Sequence, residues 1–148
     1  SASEPNQLIF ALRRGQEEAR GTLKGEKEVL AQLAKIAKAA QPSRLKLVKF
    51  DGKMPPGETA RLFAQARAVV GVHGGALANI LFCPRGAELF EIGFGSIFAG
   101  HYRHMAAALD IRVTLLPLAE DDRGMGSYTV RPADPHALVE TIRAALVG

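Results

Sequence analysis

Short apolar runs of strand length recur along this chain, and each is separated from the next by a segment long enough for a helix. Leu8-Ile9-Phe10-Ala11-Leu12 is the first run, with the composition of a strand buried on both faces. Val29, Leu30, Leu33, Ile36, Ala37 and Ala40 then recur at helical spacing up to Pro42. Leu45 to Phe50 reads as a second strand, closed by Asp51-Gly52 and the Pro55-Pro56-Gly57 turn. Leu62, Phe63 and Ala66 mark one face of a second helix. Ala68-Val69-Val70-Gly71-Val72 is the third strand, and Ala76 to Phe82 a short helix stopped by Pro84-Arg85-Gly86. Glu88 to Ile92 reads as a fourth strand. A helix follows with Ile97, Phe98, His101, Tyr102, Met105 and Leu109 on one side, and Arg112 to Leu118 is a fifth strand. Asp134 caps a last helix with Pro135 at its first position and Leu138, Val139, Ile142 and Leu146 facing inward. Strands joined through helices pair in parallel by right-handed crossovers. The expected fold is an open three-layer α/β/α, Rossmann-like parallel sheet of about five strands, with the first strand central and residues 1–148 forming a single domain.

Composition narrows the function classes. At 47% hydrophobic and 23% charged residues the chain is of ordinary globular make-up, and lone Cys83 permits no intrachain disulfide. The longest stretch without Asp, Glu, Lys or Arg, Ala68 to Pro84, contains three glycines, His73 and Asn79, so it reads as a strand entering a helix rather than a membrane span. Ser1-Ala2-Ser3 reads as a cloning remnant, and the sequence as part of something larger. The net charge of +4 is concentrated in residues 1–50, which carry +5 against −1 for the remainder. Lys24, Lys27, Lys35 and Lys38 have no interleaved aromatics and read as a solvated helix face, so nucleic acid is not the expected partner. The loop from Ala119 to Ser127 is polar and glycine-rich, the composition of a mobile segment.

Ligands of open α/β sheets sit beyond the carboxyl ends of the strands, which directs attention to Arg13, Arg14, Asp51, His73 to Asn79 and Glu91 to Ser96. Gly71-Val72-His73-Gly74-Gly75-Ala76-Leu77-Ala78-Asn79 leaves a buried strand, turns on two glycines and opens a helix. Free amides at such a helix start suit an anion, with His73 at the lip to donate to a phosphate or a sugar hydroxyl. The esterase reading of His-Gly-Gly requires a Gly-x-Ser-x-Gly elbow, which Gly93-Phe94-Gly95-Ser96-Ile97 does not provide. Gly93-Phe94-Gly95 also lacks the third glycine of a dinucleotide fingerprint. His101 and His104 have no cysteine or carboxylate neighbours in sequence to complete a metal site, and none is expected.

The stretch Leu62 to Ile92, with its Leu-Phe-Ala-Gln-Ala, Val-Val-Gly-Val-His-Gly-Gly-Ala-Leu-Ala-Asn, Leu-Phe-Cys-Pro and Glu-Leu-Phe-Glu-Ile segments, resembles the C-terminal half of family 61 glycosyltransferases. Arg13 or Arg14 after the first strand, Arg20 beyond it, and Tyr102-Arg103 also resemble that family. Ala76 stands where the family often has a glycine. The resemblance implies the donor domain of a two-domain GT-B glycosyltransferase that moves a sugar from a nucleotide diphosphate to a glycan or protein acceptor. The acceptor domain, and with it the catalytic base, would lie on other sequence, leaving the isolated domain inactive. It implies a donor-binding set of Arg13, Arg14, Arg20, His73, Gly74, Gly75, Ala76, Asn79 and Glu91, the arginines neutralising the leaving diphosphate without a metal or cofactor, and Glu91 accepting from ribose or sugar hydroxyls. The partners implied are a nucleotide sugar and a glycan or glycoprotein, with no membrane contact by this segment. Localisation stays open between the secretory lumen and the bacterial cytoplasm. The competing reading is a non-catalytic α/β module that binds a nucleotide or phosphate and acts through a partner.

Overall fold

The computed structural model describes residues 4–12, 23–72, 75–93, 100–119 and 132–148, with backbone alone for 75, 76 and 100–103. Five strands, β1 (Gln7–Ala11), β2 (Lys46–Phe50), β3 (Ala66–Val72), β4 (Glu88–Gly93) and β5 (Arg112–Pro117), form one sheet in the order β2-β1-β3-β4-β5. Every pairing is parallel. The helical elements are α1 (Glu26–Ala39), α2 (Pro56–Phe63), the 3₁₀ helix η1 (Gly75–Phe82), α3 (Gly100–Ala108) and α4 (Pro135–Leu146).

The expected α/β class is the observed one. The middle strand, however, is β3 rather than β1, which is interior but second from the edge. Both strands are buried on two faces, and β3, at seven residues, spans the sheet more fully than the five of β1. Apolar composition marks an interior strand without ranking it among its neighbours.

The sheet divides the core in two. On one face Leu8, Phe10, Val70, Phe90 and Ile92 pack with Leu33 and Ile36 of α1 and Ile142 and Leu146 of α4. On the other, Ile9, Val69 and Leu89 pack with Phe63 of α2, Leu77 and Ile80 of η1, and Ala106 of α3. Alternation along each strand explains the split, since residues two apart share a face. Phe63 also meets Phe50 edge-on, at 5.1 Å between centroids and 90° between planes. The α1/α4 seam is closed at its rim by Arg143, which donates to Glu140 at 3.3 Å and to Gln32 of α1 at 3.4 Å.

Two elements differ from the sequence expectation for local reasons. Ala66 lies in β3 rather than on α2, because both Asn6 and Gln7 donate their amides to the Gln65 carbonyl and sheet pairing starts there. The segment after β3 is a 3₁₀ helix, and the Cys83 amide bonds the Ile80 carbonyl three residues back. Eight residues at about 2.0 Å rise cover about 16 Å, against about 12 Å as α-helix, so the tighter winding recrosses the sheet with the residues available. Gly86, at φ 86°, completes the Pro84 turn, and the Ala87 amide bonds back to the Pro84 carbonyl at 3.2 Å. The Asp134 cap forms as expected, its Oδ1 accepting from the Ala137 amide at 3.0 Å. Most of the 119–127 loop lies outside the described residues. No helix among the described residues is long and apolar enough to cross a membrane.

Candidate functional site

β1 leads through α1 to β2 on one side, whereas β3 leads through η1 to β4 on the other. The two connections part company at the carboxyl ends of β1 and β3, and at such a switch point an α/β sheet opens a ligand crevice. The strand registers align one row of residues across this end: Phe50, Ala11, Gly71, Glu91 and Leu115. Ala11 and Phe50 both belong to the α2/η1/α3 core, so the row faces η1. Its middle is small, at Ala11 and Gly71, and then carries a carboxyl group.

Glu91 has no exposed surface at all. The side chain follows Leu89 by two residues and so points to the η1 face. The resemblance has it accept from ribose or sugar hydroxyls; in the structure it is wholly buried and has a partner of its own. Gly75 and Ala76 open η1, and Asn79, half-buried and also engaged, lies one turn on. Arg13, Arg14, Arg20, His73 and Gly74 lie outside the described residues. Asp51 is exposed and occupied with its own turn, accepting from the Lys53 amide at 2.9 Å. Lys24, Lys27, Lys35 and Lys38 are exposed, as a solvated face requires.

Charge separates the helix starts at this end of the sheet. α1 opens with Glu26 and Glu28, and α4 with the Asp134 cap already seated on its amide. These carboxylates complement the positive end of their own helices and oppose a bound phosphate. η1 and α3 carry no acidic residue in the first turn, and both pack against the Gly71–Glu91 side of the sheet. A feature that periodicity alone misses is a cleft of about 620 Å³ between the first turns of α1 and α4, lined by Lys24, Glu28, Gln32, His136 and Glu140 over Val29 and Val139. Its carboxylates make it a poor cradle for a diphosphate. Among the described residues no three of His, Cys, Asp and Glu are grouped to hold a metal ion.

The five parallel strands with helices on both faces define an α/β, Rossmann-like fold whose strand order reverses between β1 and β3. Residues 1–90 match the family model described as Glycosyltransferase 61, and the chain belongs to that family of sugar-transferring enzymes. The matched span covers the three arginines and the whole 73–79 stretch, and stops just before Glu91. Among solved structures, a diflavin flavoprotein A3 from Nostoc sp. is similar in fold, with a TM-score of 0.54 at 12% identity over 99% of this chain and 91% of that one. No curated protein matches the chain.

Proposed function

We propose that residues 1–148 form the donor-binding domain of a two-domain glycosyltransferase, and that the donor's diphosphate rests at the start of η1, within His73 to Asn79. The supporting observation is that η1 leaves the switch point with glycine backbone and no acidic residue in its first turn. Free amides and the positive end of the helix favour an anion there. In the transfer, an acceptor oxygen attacks the anomeric carbon while the bond to the diphosphate breaks, and the bonding electrons leave with the nucleoside diphosphate. Arg13, Arg14 or Arg20 neutralises that departing charge, and the acceptor proton passes to a base on the acceptor domain. His73 and Asn79 donate to phosphate or hydroxyl oxygens.

Titration of the chain with UDP and GDP tests this reading. A charged hydrogen bond contributes about 1.5–3 kcal/mol, so Arg13→Ala or Arg14→Ala should weaken binding roughly 10- to 150-fold. Gly74→Val should do comparable harm through steric blocking. Lys35→Ala, on the solvated face, should leave affinity nearly constant beyond a salt-sensitive background. Equal losses in all of these variants would reduce the signal to nonspecific charge attraction, and no binding of either nucleotide would remove the donor reading.

A further inference from the structure

β3 reads Ala-Arg-Ala-Val-Val-Gly-Val, and its one residue without a side chain falls where the strand leaves the sheet. A Cβ built on Gly71 would stand 3.0 Å from the Ala11 Cβ, 3.1 Å from the Ala11 carbonyl oxygen and 3.1 Å from Leu77 Cδ2. Contacts this short are rare in packed interiors, so a side chain here requires a neighbour to give by a few tenths of an ångström. Ala11 is the registered partner of Gly71 on β1, and its backbone is held by strand pairing on both sides. Leu77 presents only the end of a side chain, carried on η1, and it is wholly buried against the same face as Ile9, Val69 and Leu89. A methyl group at position 71 therefore presses on Ala11, which strand pairing holds, and on the end of Leu77, which must give by a few tenths of an ångström. η1 begins only four residues after Gly71 along the chain.

We propose that Gly71 is a positioning residue: its missing side chain is the socket into which Leu77 seats, and that seat sets how closely the first turn of η1 stands to the carboxyl end of β3. The inference rests on the reading that this turn holds the donor's diphosphate, and it extends that reading to a residue that touches no ligand. Of the three atoms a Cβ at position 71 would meet, Leu77 Cδ2 is the one that belongs to η1, and it is through Leu77 that Gly71 acts on that turn.

The test compares Gly71→Ala, the double variant Gly71→Ala/Leu77→Val, and Ile142→Val, a core change on the opposite face that controls for general destabilisation. UDP affinity and the amide shifts of residues 75–82 are the two readouts. Gly71→Ala should weaken UDP binding about ten-fold or more and move amides concentrated in Gly75 to Phe82, with the strand signals elsewhere in place. Shortening Leu77 relieves the contact with η1 while those with Ala11 remain, so the double variant should regain part of the affinity and return the 75–82 shifts toward wild type. Ile142→Val should bind as wild type does. Wild-type affinity in Gly71→Ala, or no recovery in the double variant, overturns the inference. Should Gly71→Ala alone fail to fold, a folded, UDP-binding double variant supports the socket and an unfolded one overturns it. If even the wild type binds neither UDP nor GDP, the donor reading fails by itself. The amide shifts then decide the socket separately: reversal by Leu77→Val upholds it, and unmoved 75–82 amides refute it.

Discussion

The contact between Gly71 and Leu77 makes a prediction about stability in which one substitution changes its cost with its background. Leu77 is wholly buried, and part of its wall is strand backbone at Gly71 and Ala11. Leu→Ala changes in cores cost about 2.7–5.0 kcal/mol, and the cost rises when the site cannot collapse. A wall of paired strands with no side chain at Gly71 collapses poorly, so Leu77→Ala should cost about 4 kcal/mol. Against a total stability on the order of 10 kcal/mol, this corresponds to a fall in Tm of about 10–15 °C. Gly71→Ala in the wild-type background forces Leu77 off its seat, at about 1–3 kcal/mol. In the Leu77→Ala background the Leu77 contact is gone and those with Ala11 remain, so the same methyl should cost about 1 kcal/mol less. The stabilising loss of unfolded-chain freedom on Gly→Ala is common to both backgrounds and cancels from the cycle. The expected coupling is therefore about 1 kcal/mol. The chain has no Trp, so urea unfolding is best followed by far-UV circular dichroism. If Gly71→Ala destabilises both backgrounds alike, Leu77 does not occupy the space that Gly71 leaves, and the argument fails.

Other outcomes follow from single contacts. Asp134→Ala removes the cap on the Ala137 amide and should cost about 1 kcal/mol, or about 2–4 °C in Tm, whereas Asp134→Asn should retain most of it. Truncating Phe63, wholly buried against Phe50, should cost about 3–5 kcal/mol in urea unfolding, and a double-mutant cycle with Phe50 should assign about 0.5–1.5 kcal/mol to the ring pair itself. Burial pushes the Cys83 thiol up from 9.0 to about 12. The unfolded chain therefore releases this proton first, so its contribution is full below pH 9 and is lost as pH rises from about 9 to about 12. Cys83→Ala should flatten that part of the stability–pH curve, and an identical alkaline slope in the variant would contradict it.

What the sequence disclosed was what local pattern can carry. Apolar runs located all five strands, Asp134-Pro135 marked the start of α4, and the spacing of Lys35 and Lys38 placed them in solvent. Strand order was less legible, because the pattern shows that β1 and β3 are both buried without saying which lies between which neighbours. The 3₁₀ winding of η1 reflects a span to be crossed, a tertiary demand invisible in its residues. Glu91 was read as an acceptor for ligand hydroxyls because it ends a strand; its complete burial depends on the register beside Gly71 and is not legible in the local pattern. The socket at Gly71 needed Leu77, six residues away, to give the glycine a meaning beyond a gap in a row of branched side chains. The α1/α4 cleft needed both ends of the chain at once.

The packing of α1 against α4 also governs the timing of synthesis. The face of the sheet carrying Leu8, Phe10, Val70 and Phe90 is shared between the first helix of the chain and its last. Until Ile142 and Leu146 have left the ribosome, half of that apolar surface has no cover. A nascent chain halted before α4 thus holds all five strands but cannot seal one side of the sheet. Such a chain is the species that holdase chaperones recognise, through exposed aliphatic surface. C-terminal truncations that remove α4 therefore uncover the face of the N-terminal strand as well as deleting a helix.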